Sequence, residues 1–194
     1  MPIKDWKKEI WTIPNLLSLF RLILIPVYVL IYLNADSMSD YFIAAGILAV
    51  SCLTDLIDGK IARHFNMITT LGKLLDPLAD KATQFTLILC LALKHPVLWL
   101  LVTLFVIKES YQLIAMGIRY KHGKVLKGAL ISGKICTTIL FISLILMVMI
   151  PGMSETTIHV ITLIDIIFMV IAFIEYAITY FKRDNKFQSL EESP

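Results

Sequence analysis

Residues 55–80 read DLIDGKIARHFNMITTLGKLLDPLAD and place four aspartates in a chain that is otherwise strongly apolar. Asp55 and Asp58 are three residues apart, and Asp76 and Asp80 are four apart. In a helix, each of these spacings puts both side chains of a pair on one face. Because neighbouring carboxylates repel one another, the stretch predicts a cation between them.

The composition predicts an all-α integral membrane protein. Of the 194 residues, 58% are hydrophobic, and the mean hydropathy of +0.79 is far above that of a soluble domain. The net charge of +3 is modest, and the basic residues can set the membrane topology and contact anionic lipids. No basic helix suits a DNA groove, so nucleic acid is excluded as a partner. The cysteines lie in apolar segments without C-x-x-C spacing, which indicates buried thiols.

Six apolar segments, each near the roughly 20 residues needed to cross a bilayer, predict six transmembrane helices. Their predicted bounds are 14–33, 41–63, 76–94, 96–118, 128–150 and 157–181. Ahead of them, residues 1–12 combine two tryptophans with three lysines, which favours a short interfacial amphipathic helix, with a disordered basic tail as the alternative. Residues 182–194 are expected to form a cytoplasmic tail, and the whole chain a single membrane domain.

The distribution of Lys and Arg predicts a multi-pass protein of the cell membrane with both termini in the cytoplasm. In that orientation thirteen of the 18 basic residues flank cytoplasmic helix ends, and Lys94 alone lies opposite. Arg21, Lys81, Lys108 and Lys134 lie within the spans, where a charge is costly unless it lines a polar cavity. All but Lys108 are near a cytoplasmic end, as are the aspartates. One polar cavity at the cytoplasmic interface is therefore the candidate active site.

The aspartates have the ligand chemistry of a hard divalent cation. Carboxylate oxygens suit Mg²⁺, Mn²⁺ or Ca²⁺, and a group without His or Cys disfavours zinc and copper. Gly59 and Ala62 leave room beside the carboxylates for a large ligand, or alternatively allow close helix packing. Arg63 offers a planar fork to a phosphate, or alternatively only fixes topology as a flanking charge.

Eight positions of this stretch resemble the signature of the CDP-alcohol phosphotransferase family, D-x2-D-G-x2-A-R-x8-G-x3-D-x3-D. The matching residues are Asp55, Asp58, Gly59, Ala62, Arg63, Gly72, Asp76 and Asp80. In the first segment, Pro14, Asn15, Ser18 and Arg21 are similar to the P-N-x-x-[ST]-x-x-R start of bacterial phosphatidyltransferases. The resemblance covers nearly the whole chain and is strongest to bacterial phosphatidylglycerophosphate synthases.

The resemblance implies a transferase of phospholipid biosynthesis in which an acceptor hydroxyl attacks the β-phosphorus of CDP-diacylglycerol and CMP departs. By the family pattern, Asp55, Asp58 and Asp76 hold Mg²⁺ or Mn²⁺, and Asp80 shares this role or acts as the base. We expect Asp80 to be the base. Phosphoryl transfer requires both functions, and clustered carboxylates can supply them. The family also implies a homodimer.

The resemblance also assigns residues to the donor and the acceptor. Those expected to hold the CDP-lipid are Asn15, Ser18, Arg21, Gly59, Ala62, Arg63 and Gly72. For Asn15 and Arg21 the alternatives are helix capping and interfacial snorkelling. Lys134, in G-K-I-C-T-T, is similar to a G-K-x-K-T segment of phosphatidylglycerophosphate synthases that would meet glycerol 3-phosphate, and Arg119 could join it.

Two departures from that pattern bear on the acceptor. Cys136 stands where a second lysine is usual, and Lys108-Glu109 where Arg-Glu is usual. Cardiolipin synthase of the same family, with phosphatidylglycerol as acceptor, is therefore the alternative to glycerol 3-phosphate. A remote alternative is a divalent-cation transporter, because intramembrane carboxylates also line ion pathways. Asp165 and Glu175, in the sixth segment, match no motif and receive no role.

Overall fold

The computed structural model describes residues 12–64, 69, 72–121, 124–126, 130–181 and 187–189. Six helices form within these ranges, one for each predicted apolar segment. They are α1 (Ile13–Leu33), α2 (Met38–His64), α3 (Gly72–Lys94), α4 (Leu98–Lys121), α5 (Ile131–Met149) and α6 (Glu155–Phe181). The interfacial helix predicted for residues 1–12 lies, apart from Thr12, outside the described residues.

A short pair of strands departs from the purely helical prediction. β1 (Lys124–Leu126) follows α4, and β2 (Phe187–Ser189) follows α6. The strands are antiparallel, with Val125 opposite Gln188. β1 lies between two predicted spans and β2 lies in the predicted tail, and three-residue strands leave no periodic pattern that a sequence can reveal.

Among the described residues, four helices are long and apolar enough to cross a membrane: α1, α4, α5 and α6. In α2 the side chains are described as far as Thr54, and the apolar stretch within that range is Met38–Thr54. The charged 55–80 stretch also opens α3. Large apolar side chains such as Ile23, Leu113 and Ile131 are exposed, as expected of surfaces that face lipid. The structure thus supports a membrane protein, and the count of six spans stays a prediction.

Hydroxyl side chains set the starts of two helices. At α2, the Ser37 backbone N–H donates to Asp40 Oδ2 (2.9 Å), and the Asp40 N–H donates to Ser37 Oγ (3.4 Å), which forms a reciprocal capping box. Hydrogen bonds from the Ser37 side chain and backbone hold the pKa of Asp40 below its usual value. At α6, Ser154 Oγ accepts from the Thr157 N–H (3.2 Å). Each cap satisfies a backbone donor that the helix itself leaves open.

The chain divides into two compact units. One unit contains α1, α2 and α3 as far as Leu93, together with Ile145–Pro151. In it α1 packs against α2, and Leu87, Ile88 and Leu91 of α3 are fully buried. The other unit contains Lys94–Leu144 and the chain from Gly152 onward, and in it α4 packs against α6 and against β1.

We predict that the connections after α1, α3 and α5 are reached from outside the cell. In a chain freed of its own cysteines, single cysteines at Asp36, Pro96 and Gly152 should react with a membrane-impermeant maleimide in intact cells. A cysteine at Lys127 or Lys186, on the predicted cytoplasmic side, should react only after permeabilisation. Labelling of Asp36 and Gly152 without Pro96 would contradict a crossing by both α2 and α3.

Candidate active site

Three polar side chains of α1 reach the segment that begins α3. Asn15 contacts Thr69, Ser18 contacts Asp76, and Arg21 contacts Asp80. All three α1 residues are buried, with at most 2% of their surface exposed. Because the partners follow the same order along both segments, α1 and α3 run in the same direction. We call these three contacts the α1–α3 polar ladder.

The first contact of the ladder fixes the start of α3. Asn15 Nδ2 donates to Thr69 Oγ1 (2.9 Å), and the Gly72 backbone N–H donates to the same hydroxyl (2.9 Å). A Cβ atom on Gly72 would lie 2.6 Å from Asn15 Oδ1, which is closer than packed atoms approach. Gly72 is therefore required by this contact because it has no side chain. Asn15 serves here as a bridge to Thr69.

The second and third contacts hold the two carboxylates of α3. Ser18 Oγ donates to Asp76 Oδ1 (2.5 Å), and Arg21 Nη1 donates to Asp80 Oδ1. The Arg21 side chain is buried, whereas that of Asp80 is 47% exposed. The guanidinium is thus one cationic neighbour that the aspartates were expected to need. Asp80 faces a buried cation on one side and remains open on the other.

The carboxylates of α3 fit a hard divalent cation. They lie one helical turn apart and offer only oxygen donors, as Mg²⁺ and Mn²⁺ prefer. Each has one oxygen anchored by a side chain of α1, and such outer contacts orient metal ligands in proteins. Asp55, Asp58, Gly59, Ala62 and Arg63 lie in the last three turns of α2, and their side chains are outside the description. The meeting of all four aspartates stays a prediction.

The predicted acceptor residues lie in the other compact unit. Arg119, in the last turn of α4, donates through Nη2 to the backbone carbonyl of Tyr180, in the last turn of α6. A cation there satisfies a carbonyl that the helix leaves open. Lys134 is exposed in the first turn of α5. Beside it, a Cβ atom on Gly133 would lie 2.6 Å from the Tyr176 hydroxyl, so close packing explains that glycine.

Other charged residues of this unit contact polar groups within it. Lys108 Nζ donates to Glu109 Oε1 (2.7 Å), and the Lys108 side chain is 3% exposed. The two charges thus pair within α4, where an unpaired charge would be costly. Asp165 in α6 accepts from Ser143 Oγ of α5 (3.0 Å). The Ser143–Asp165 contact joins α5 to α6, whereas the Lys108–Glu109 contact lies within α4.

Two residues that contact the predicted site residues or their neighbours were not predicted from the sequence. Thr69 joins Asn15 to the backbone N–H of Gly72 at the start of α3, and threonine is among the residue types that accept such N–H groups at helix starts. Tyr176 contacts Gly133 and accepts a hydrogen bond from the Leu130 N–H (3.3 Å). Its partners lie more than 40 residues away, and no local pattern predicts them.

Residues 11–180 match the profile of the CDP-alcohol phosphatidyltransferase family. The match covers most of the chain and includes every residue of the α1–α3 polar ladder. The chain belongs to this family. The resemblance drawn from the signature positions is thereby confirmed.

Named CDP-alcohol phosphatidyltransferase relatives fall into two groups. A cardiolipin synthase (CMP-forming) of Streptomyces coelicolor is 36% identical over 59% of this chain and 54% of its own length. A CDP-diacylglycerol–glycerol-3-phosphate 3-phosphatidyltransferase of Escherichia coli K12 is 48% identical over 37% of this chain and 38% of its own length. The human cardiolipin synthase is 53% identical over 37% of this chain and 23% of its own length. The chain thus spans about half or less of the relatives that it matches.

The close approach at Gly72 gives a testable consequence for this CDP-alcohol phosphatidyltransferase chain. We predict that Gly72→Ala destabilises the purified protein by about 1–3 kcal/mol, the usual cost of overpacking a buried contact. Thermal unfolding in detergent measures the effect.

Gly46→Ala is the matched control, because a Cβ atom at Gly46 meets nothing within 4 Å. It should be neutral, or stabilising by up to about 1 kcal/mol through helix propensity. Equal unfolding temperatures for the two variants would contradict the role assigned to Gly72.

Proposed function

We propose that the protein transfers a phosphatidyl group from CDP-diacylglycerol to an alcohol, with glycerol 3-phosphate as the acceptor, and releases CMP. The observation that carries the proposal is the α1–α3 polar ladder, which holds two signature aspartates on buried side chains of α1. The family match and the named relatives support the same chemistry. Phospholipid synthesis is the corresponding biological role.

The proposed reaction exchanges one phosphorus–oxygen bond for another. The acceptor hydroxyl oxygen attacks the lipid-linked phosphorus, the bond from that phosphorus to the CMP oxygen breaks, and the hydroxyl proton passes to Asp80. Asp80 suits the role of base because its side chain is partly exposed while Arg21 fixes one of its oxygens. Arg21 orients Asp80 in this proposal, and the family pattern also assigns it to the CDP-lipid.

The proposed metal ligands are Asp55, Asp58, Asp76 and Asp80, with Mg²⁺ or Mn²⁺ as the cofactor. A divalent ion held by these residues would neutralise the negative charge of the pyrophosphate. The proposed CDP-lipid site also includes Asn15, Ser18, Gly59, Ala62, Arg63 and Gly72. The proposed acceptor site consists of Arg119 and Lys134. We place this site at the cytoplasmic interface of a six-span homodimer in the cell membrane, with both termini in the cytoplasm.

Cardiolipin synthase activity is the second candidate. A relative with that name matches more of this chain than does the named glycerol-3-phosphate enzyme of Escherichia coli. Cys136 and Lys108 also depart from the pattern of the glycerol-3-phosphate enzymes. Phosphatidylglycerol would be the acceptor in that case, with the same donor and the same leaving group.

The acceptor is tested by product analysis. Purified protein with CDP-diacylglycerol and Mg²⁺ or Mn²⁺ is given glycerol 3-phosphate or phosphatidylglycerol, side by side. We expect CMP release and phosphatidylglycerophosphate with the first acceptor. Cardiolipin from the second, without reaction of the first, would move the assignment to cardiolipin synthase. If folded protein releases no CMP with either acceptor or with other polar alcohols, the proposal fails.

Asp80→Asn tests the role of the proposed base. Asparagine keeps an oxygen that accepts from Arg21 but cannot take up the acceptor proton. We expect kcat to fall by about 10²–10⁴-fold, the usual contribution of general acid–base catalysis, while CDP-diacylglycerol binding persists. Asp36→Asn, at an exposed loop position, should leave both quantities unchanged. Loss of CDP-lipid binding together with turnover would instead make Asp80 chiefly a metal ligand.

A further inference from the structure

A partly open cleft lies between α1, α2 and α3, inside the unit that carries the polar ladder, and its empty space of about 250 Å³ includes the open space at its entrance. Its walls are mainly aliphatic, with Leu24, Leu48 and Leu87 each from a different helix. Hydroxyl-bearing residues interrupt the apolar lining, among them Tyr28, Ser51 and Thr83. The cleft therefore combines the surface of a lipid-chain site with a few polar groups.

The cleft begins one helical turn from the candidate active site on each helix. Leu24 follows Arg21 by three residues, Thr83 follows Asp80 by three, and Ser51 precedes Asp55 by four. At roughly 1.5 Å of helix rise per residue, these steps place the mouth of the cleft about 5 Å from the carboxylate level. From there the cleft continues along the apolar part of the helices.

Tyr28 has a hydroxyl group that lacks a hydrogen-bond partner among the described residues. The residue is 4% exposed, and its ring stacks on Tyr32 at a centroid distance of 5.4 Å. A buried hydroxyl without a partner is costly, and buried tyrosines ordinarily have one. Helical side chains lean toward the N-terminal end of their helix, which on α1 is the end that carries Arg21.

The hydroxyl of Thr83, unlike that of Tyr28, has a hydrogen-bond partner. Its Oγ1 donates to the backbone carbonyl of Ala79 (2.8 Å) and is thereby satisfied within α3. The Tyr28 hydroxyl can therefore donate a hydrogen bond to a ligand in the cleft that carries an acceptor. An acyl ester meets this requirement, because its carbonyl accepts and it carries no donor of its own.

We infer that the cleft receives the ester end of one acyl chain of the phosphatidyl donor, with the Tyr28 hydroxyl donating to the ester carbonyl. This inference rests on the proposed function and extends it from the pyrophosphate to the lipid part of the donor. The cleft is partly open, so it can border only a portion of a chain, which then continues into the bilayer. Tyr28 is then a specificity residue for ester-linked lipids.

The experiment compares CDP-diacylglycerol with CDP-dialkylglycerol, whose ether-linked chains lack the carbonyl. The proposal predicts that the wild-type protein has about fivefold higher kcat/KM for the ester donor, the effect of one neutral hydrogen bond. Tyr28→Phe should lower the ester value to the ether value, chiefly through KM, and leave the ether value unchanged.

Tyr32→Phe is the matched control, since Tyr32 is also buried on α1 but does not line the cleft. It should keep the wild-type preference. Equal ester and ether values in the wild type, or an equal loss with both donors in Tyr28→Phe, would overturn the inference and would indicate water as the hydroxyl's partner. Either result still shows CMP release, whereas a folded protein inactive with both donors would instead refute the proposed function.

A second variant covers the case in which Tyr28→Phe fails to fold. Leu48→Trp adds bulk to the wall of the cleft on α2. It should raise KM several-fold for CDP-diacylglycerol with long chains and much less for a donor with short chains. An unchanged KM for the long-chain donor, in protein whose unfolding temperature is preserved, would exclude the cleft as the chain site.

Discussion

A buried guanidinium is the constraint on which the first compact unit depends. Arg21 is 2% exposed within a helix that is long and apolar enough to span a membrane, where an unpaired charge is costly. Asp80 supplies the opposite charge, and the contacts of Ser18 with Asp76 and of Asn15 with Thr69 extend the same alignment. The side chains that hold the helices together are therefore those that present the carboxylates. Helix packing and the placement of the signature aspartates therefore depend on one set of contacts.

Much of this arrangement could be predicted from the sequence, because it follows from local patterns. Apolar length predicted the six helices, and the spacing of Asp76 and Asp80 predicted that both share a helix face. The partners within the ladder could not be predicted, since Arg21 and Asp80 are 59 residues apart. The need for glycine at position 72 likewise becomes clear only when Asn15 is seen beside it. The strands β1 and β2 were missed because they are short and distant in sequence.

In the second compact unit, the polar groups described above contact other groups of the protein. Lys108 pairs with Glu109, Ser143 with Asp165, and Arg119 with a backbone carbonyl at the end of α6. The last two contacts join helices without any ligand, and the first lies within α4. Arg119, one of the two cations proposed to meet the acceptor, therefore already has a structural contact. In the first unit, by contrast, Asp80 contacts a buried guanidinium and remains partly exposed.

The polar ladder also bears on how the protein adapts to bilayers of different thickness. Three contacts at successive levels prevent α1 and α3 from sliding past each other, because a shift by one turn would break all three at once. Mismatch between helix length and bilayer thickness is ordinarily relieved by tilting, by kinking or by deforming the lipid. In the first unit such relief cannot come from sliding of α1 along α3. The position of the carboxylates relative to the polar side chains of α1 would then stay constant from one membrane composition to another.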